Sequence, residues 1–284
     1  MPEISAKDVA SLRKLTGAGM MDCKRALEEN EGDVERAKTW LREKGIAGAE
    51  KRAGRAAQQG AVDVVVDGSV GAVVELSCET DFVAKGTQFK ETVAALARQV
   101  AAKGDADLAS QPYDGDPSTT VGDLVKGMAG TLGENITLGR VARYQAEGGL
   151  VDGYKHIQNE RGTIGVLVEL AGVDPSDPKA AEAAHDIALH VASAAPRWVG
   201  REDVPADVVE SERSVLENLT RNEGKPEQAI PKIVEGRLNG FYKDNVLVEQ
   251  GFVRDSKVTV ASLLTGLGPE ARVARFVRFK VGEE

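Results

Sequence analysis

The sequence predicts an α+β protein assembled from modules, on three observations. Short helical periods fill residues 5 to 45, and the apolar period switches to two past Gly60. A strand-then-helix pattern then recurs at an offset of about ninety residues, which suggests two related α+β subdomains with antiparallel sheets.

The first elements form a three-helix bundle. Ser5 and Asp8 read as a capping box, and Val9, Leu12 and Leu15 follow on one helical face. Gly17 and Gly19 break that helix. Met20-Met21-Asp22-Cys23 opens a second, with Cys23, Ala26 and Leu27 facing inward. Gly32 stops it, and Asp33 is a good N-cap for a third helix carrying Val34, Ala37, Trp40 and Leu41. Three helices in about 45 residues lie near the lower limit for independent folding. Residues 46 to 60 show no apolar stripe and are expected to form a linker.

The strand period follows. Val62, Val64 and Val66 alternate, Asp67-Gly68-Ser69 turns, and Val70, Ala72, Val74, Leu76 and Cys78 alternate again, which is a β-hairpin. A helix with Phe89, Val93, Leu96, Ala97 and Val100 on one face comes next, then a loop holding Pro112 and Pro117. Thr120 and Asp123 cap another helix, with Val121, Leu124, Val125, Met128 and Leu132 inward. Gly165-Val166-Leu167-Val168-Glu169-Leu170 then echoes Gly71-Ala72-Val73-Val74-Glu75-Leu76. Ile187-Ala188-Leu189-His190-Val191-Ala192-Ser193 echoes Leu96-Ala97-Arg98-Gln99-Val100-Ala101-Ala102.

Between residues 205 and 242 two helical stretches are separated by Asn222-Glu223-Gly224-Lys225-Pro226. Their stripes (Val208, Val209, Val215, Leu216 and Leu219, then Ile230, Ile233, Val234 and Leu238) are narrow, and their other faces are charged. That pattern suits an antiparallel helical hairpin protruding from the body. Pro231 must occupy the first turn of the second helix or kink it. The chain ends on a strand-like alternation around Val273, Val277, Phe279 and Val281.

Composition narrows the function. The net charge of −9, from 45 acidic and 36 basic side chains, argues against a protein built to neutralise nucleic-acid phosphates, so no direct nucleic-acid partner is expected. The start Met1-Pro2-Glu3-Ile4-Ser5 has no basic flank leading into an apolar run, and no run approaches the ~18 apolar residues of a membrane span. A cytoplasmic protein with no membrane partner is expected. Two cysteines, Cys23 and Cys78, are too few for a disulfide framework or a four-cysteine metal site.

Chemistry is scarce. No segment fits the glycine-and-lysine loop that cradles phosphates: Gly224-Lys225 runs into Pro226 and lacks the earlier glycine. His185 and His190, five apart on a helix, point to different faces rather than around one metal. Cys78 shares the apolar side of its strand with Val74 and Leu76, and Cys23 lies on an apolar helix face, so both read as buried structural thiols. No catalytic residue, cofactor or metal is expected.

Three places carry apolar groups that folding alone does not require. Thr80-Asp81-Phe82-Val83-Ala84-Lys85 sets a large aromatic at the strand-to-helix transition. An aromatic at an element end more often packs under the next helix; the alternative is an exposed wedge beside a carboxylate. The matching stretch of the second copy, Ala171-Gly172-Val173-Asp174-Pro175, has no aromatic, so the fold does not demand one. Met20 and Met21 point about 100° apart on a helix, so one of them is expected to be free for a partner. The helical hairpin, whose seam is too thin for a domain core, is a candidate for partner contact or self-association.

These residues resemble a known family. Leu15-Thr16-Gly17-Ala18-Gly19-Met20-Met21-Asp22-Cys23-Lys24-Arg25-Ala26-Leu27 resembles the N-terminal signature of the elongation factor Ts family. Thr80 to Lys85, Gly133-Glu134-Asn135, Ile164-Gly165-Val166-Leu167-Val168 and Val234-Glu235-Gly236-Arg237-Leu238 are similar to further family segments, in family order. The resemblance implies a ubiquitin-associated-like bundle over residues 1–46, a linker over 47–60 and a core N-subdomain over 61–145. It further implies a core C-subdomain from 146–200 and 243–265, a coiled-coil hairpin over 201–242 and a C-terminal module over 266–284. The implied function is guanine nucleotide exchange on elongation factor Tu, without covalent chemistry.

Site residues follow by the same resemblance. Thr80, Asp81, Phe82 and Val83 would enter the GTPase near its magnesium, and Leu12, Arg13, Met20 and Met21 would grip one of its helices. Leu132, Gly133 and His156 would lie against the same partner. Two rival readings are a cysteine-dependent enzyme and a passive binding module that leaves GDP release unchanged.

Overall fold

Ser5 begins the first helix as its chemistry requires. Its Oγ accepts the Asp8 amide at 3.2 Å, and Asp8 Oδ2 accepts the Ser5 amide at 3.2 Å. The computed structural model describes residues 4–50 and 52–283; residues 1–3, 51 and 284, which fall in the expected bundle, linker and terminal module, lie outside the described residues. Helices α1 (Ala6–Thr16), α2 (Met20–Glu29) and α3 (Val34–Glu50) pack around Val9, Leu12, Ala18, Cys23, Ala26, Leu27 and Ala37. Leu15, expected inward, is 64% exposed. Successive three-residue steps each fall about 60° short of a full turn, so the stripe that starts at Val9 has rotated into solvent by Leu15. Val34 is exposed as well. Helix α3 runs four residues past the expected bundle boundary at 46, to Glu50.

Strands β1 (Gln59–Asp67) and β2 (Val70–Cys78) form the expected hairpin around Asp67-Gly68-Ser69. A five-residue helix, α4 (Asp81–Lys85), and α5 (Thr87–Lys103) follow. The stretch with Pro112 and Pro117 is not a plain loop: β3 (Pro112–Tyr113) and β4 (Asp116–Thr120) pair as a small ribbon. Helix α6 (Val121–Leu132) starts at Thr120, whose Oγ1 accepts the Asp123 amide at 3.1 Å, and ends at Gly133 with φ +75°. Strand β5 (Thr137–Gln145) closes the first sheet in the order β1-β2-β5.

The second half repeats this plan. Strands β6 (Gly149–Gln158) and β7 (Arg161–Ala171) pair, and α7 (Pro178–Ala194) covers them. The hairpin helices α8 (Ala206–Asn222) and α9 (Ile230–Asn245) are inserted next. The ribbon β8 (Gly251–Phe252) and β9 (Asp255–Thr259), helix α10 (Val260–Thr265) and β10 (Arg272–Lys280) complete the set. The order is β10-β7-β6, so β10, within the expected terminal module, supplies the third strand of the second sheet. A central strand is covered on both faces, which is why β2 and β7 read as near-continuous apolar runs.

The echo extends to a buried polar clamp in each half. Gln99 Nε2 donates to Gln111 Oε1 at 3.1 Å while Gln99 Oε1 accepts the Asp114 amide at 3.0 Å. In the second half His190 takes the place of Gln99: its Nε2 lies 2.9 Å from Gln250 Oε1, and its Nδ1 accepts the Val253 amide at 3.1 Å. The carbonyls of Gln111 and Gln250 then accept the first amides of α6 and α10, from Val121 and Val260. Each clamp ties its helix to its ribbon.

The second clamp titrates. Burial holds the His190 pKa below its ordinary value, against the raising effect of Gln250, and a proton on Nδ1 would set two donors face to face. The folded pKa lies under the unfolded value of about 6.5, so the clamp's contribution is whole above that value and is lost as pH falls from it through the folded pKa. His190→Gln restores the amide pair seen in the first half. Thermal unfolding between pH 7.5 and 5 is expected to lower the wild-type midpoint further than that of His190→Gln; equal slopes would refute the titrating clamp.

The two sheets stack through Val62, Val73, Tyr144, Val151, Leu167 and Phe279. Glycines permit the approach: a Cβ on Gly165 would stand 2.4 Å from Val62 Cγ1 and 2.8 Å from Val73 Cγ2. Helices α5 and α6 cover the outer face of the first sheet, and α7 and α10 that of the second. The α8–α9 seam is as thin as its stripe, with Ile230, Val234 and Leu238 buried, while Val215 and Leu219 stay exposed. Pro231 sits in the first turn of α9, where its missing amide costs nothing. Arg237 fastens the far end, donating to both Glu223 carboxylate oxygens at 2.9 and 2.7 Å.

Candidate functional site

Phe82 decides between packing and wedge. It is 83% exposed, the most exposed large apolar side chain among the described residues, so it does not pack under the next helix. A five-residue helix carries it, and Thr80 is the cap: its Oγ1 accepts the Val83 amide at 3.4 Å. Ala84 is buried and Val83 packs against the first core, which leaves Phe82 on the outer side of the turn. Asp81 pairs with Lys85 Nζ at 2.5 Å, and that hydrogen bond holds its carboxyl below the usual carboxylate range, with smaller help from the charge of Arg161. The tip therefore offers an aromatic face beside a charged carboxylate.

The segment below the wedge fixes the tip. Glu134 Oε2 accepts the amides of Glu79 and Thr80 at 3.1 and 3.0 Å, and Thr80 Oγ1 donates to Glu134 Oε1. In return Glu79 Oε1 accepts the Asn135 amide at 2.6 Å, and Asn135 Nδ2 donates to the Arg55 carbonyl at 2.7 Å. Cys78 Sγ contributes a bond to the Thr80 carbonyl at 3.2 Å. Burial pushes the Cys78 thiol up to about 12, with the Glu134 charge adding to the effect, so it stays protonated and is no nucleophile near neutral pH. Gly133-Glu134-Asn135 stood out in the sequence as a segment, but a partnership across 54 residues has no local signal.

The second cluster sits on the bundle. Met20 and Met21 are both exposed, at 55% and 68%, so two methionines rather than one are free. With exposed Arg13 and Leu15 they line the α1–α2 turn, and Leu15 is the contributor that periodicity placed wrongly. Leu12 differs: at 1% exposure it belongs to the bundle core, where it can support Arg13 but presents nothing to a partner. The wedge and this turn are joined through α6. Its Gly130 meets Gly45 of α3 backbone to backbone, and Asp123 pairs with Arg42 at 3.7 Å. Four residues beyond Gly130 comes Glu134.

Among the remaining candidates, Leu132 is half-buried and Gly133 exposed at the end of α6. His156 is exposed on β6, with Nδ1 3.2 Å from the Tyr154 hydroxyl, and exposed Ile157 lies beside it. His185 is partnered by Asp152 Oδ2 at 3.4 Å and His190 is buried in its clamp, so the two do not share a site. Among the described residues no group of three His, Cys, Asp or Glu side chains is arranged to hold a metal. No described helix is long and apolar enough to cross a membrane. A concavity of about 580 Å³ between the bundle and α6 carries charges of both signs and has none of residues 80–83 in its walls.

The chain is similar to known proteins over nearly its whole length. Residues 79–283 match the family described as Elongation factor TS. The chain is 48% identical over 287 residues to Elongation factor Ts of Streptomyces coelicolor, covering 99% of this chain and 100% of that protein. Identity is 49% to the protein of the same name from Streptomyces avermitilis, with 99% and 100% covered. It is 47% to that of Thermobifida fusca, with 100% of both covered.

Proposed function

The chain belongs to the elongation factor Ts family, and on that premise we propose that it is a translation elongation factor that promotes GDP release from elongation factor Tu. The observation that carries this reading is Phe82, an aromatic held in solvent beside Asp81 by a capped, clamped helix. An aromatic in water serves nothing in this fold, and it is the kind of group that anchors in a partner's pocket.

The mechanism needs differential affinity rather than bond chemistry. A GTPase holds GDP largely through magnesium and a preorganised phosphate loop. A wedge beside that loop fits the nucleotide-free form better than the loaded one. Linkage then requires weaker retention of nucleotide while the wedge is seated, and incoming GTP expels the factor by the same reciprocity. Asp81 adds a charge next to the magnesium site. Arg13, Leu15, Met20 and Met21 supply a second grip, adaptable because methionine is unbranched and polarizable. Leu132, Gly133 and His156 are proposed as lesser contacts, and exposed Val215 and Leu219 as a surface for partner or self-association.

Stopped-flow release of fluorescent GDP from elongation factor Tu tests this. Acceleration that rises with factor concentration is expected. Binding without acceleration would replace the reading by that of a passive module, and no binding by the well-folded chain would end it.

A further inference from the structure

We infer that Glu134 is a positioning residue for the wedge, acting through Thr80 and Glu79 rather than by touching a partner. This rests on the exchange-factor reading for its functional consequence, but its geometry stands alone. A helix of five residues is far too short to be stable by itself. Phe82, with 83% of its surface in water, gives that helix no packing on its outer side. Ala84 and Val83 hold its inner side against the first core, and its N-terminal end needs a further tie.

The hydrogen bonds show what holds it. Glu134 takes three donors at once, the amides of Glu79 and Thr80 and the Thr80 hydroxyl. These are the residues at which β2 ends and α4 is capped. A carboxylate is the side chain suited to them, since it is an acceptor at both oxygens and has no proton to clash with three donors. Glu79 returns the contact on the Asn135 amide at 2.6 Å and meets Arg55 Nη1 at 3.3 Å. Two crossed carboxylates thus fasten the end of β2 to the turn after α6. The clamp fixes the direction in which α4, and so Phe82, leaves the sheet. For a wedge, misplacement of about 1 Å is enough to lose most of the rate.

Two variants and two readouts test the assignment. Glu134→Gln keeps size but turns one acceptor into a donor; Glu134→Ala removes both. Hydrogen exchange on the free protein is expected to lose protection at the Glu79 and Thr80 amides in Glu134→Ala and to keep it in Glu134→Gln, whose remaining carbonyl oxygen can still accept both, with the β1 and β7 amides unchanged in each. In GDP release, Glu134→Ala is expected to cost about tenfold in the wild-type background and under twofold in the Phe82→Ala background. That non-additivity distinguishes a residue working through Phe82 from one that merely supports the fold. Protected amides in Glu134→Ala, or full additivity, would overturn the inference while wild-type acceleration still upheld the exchange reading. Absence of acceleration by the wild type would sink the exchange reading alone, and the hydrogen-exchange result would still decide the clamp.

Discussion

Phe82→Ala is expected to leave the fold intact and to slow factor-dependent GDP release by about ten- to thirtyfold. The first half follows from exposure: a side chain 83% in water contributes little to the core, so unfolding should shift by no more than about 0.5 kcal/mol. The second follows from the behaviour of interface anchors, where truncating one central aromatic removes about 2 kcal/mol of partner binding. The residual activity belongs to Asp81 and to the methionine turn. Stopped-flow release and thermal unfolding on the same sample check both halves. Undiminished release would return Phe82 to a surface accident, whereas loss of fold would mean that its exposure misrepresents its packing.

Gly130→Ala is expected to damage the same activity from a distance. A Cβ there would stand 2.2 Å from Gly45 Cα and 2.7 Å from the Gly45 carbonyl, all backbone that cannot rotate aside. Helices α3 and α6 must separate, and overpacking of this kind costs about 1–3 kcal/mol. The bundle then hangs on its connector, and the Met20–Met21 turn loses its fixed distance from the wedge. Loss of about tenfold in exchange is expected, along with a larger radius of gyration by small-angle scattering. Gly45→Ala is the control, since its Cβ would meet nothing nearer than the Gly127 carbonyl at 3.7 Å. Equal activity in the two variants would show that docking of the bundle is irrelevant to exchange.

Much of this was legible in the residues. The capping box at Ser5, the β1–β2 hairpin and the inward faces of α5 and α6 all rest on local chemistry that packing does not override, and the structure chooses the first turn over a kink for Pro231. The two-subdomain echo was visible in Val-rich strands because a strand covered on both faces has little freedom of composition. What escaped depends on long-range pairing. The β3–β4 ribbon is too short to show a period, β10 declares its sheet only by joining β7, and Glu134 meets Thr80 across half a subdomain. Exposure is not written in the local pattern either: Phe82 has the same neighbours in sequence whether it packs or protrudes, and only the family resemblance implied that it protrudes, while Leu15 was lost to the slow rotation of a three-residue stripe. Leu12, next to Arg13 in the chain, shows the converse, a family match whose side chain is spent on the core.

The insertion of α8 and α9 into the second repeat has a consequence for folding during synthesis. The first sheet is complete once residue 145 has emerged, and its contacts are comparatively local. The second must wait for β10, about 100 residues after β7 ends, which at 5–20 residues per second is a delay of roughly 5–20 s. Throughout that interval one edge of β7 has open amides and carbonyls, an invitation to pair with a wrong chain. The half that carries the wedge is thus native early, while the other half is the slow, high-contact-order partner whose completion sets when the molecule is safe from aggregation.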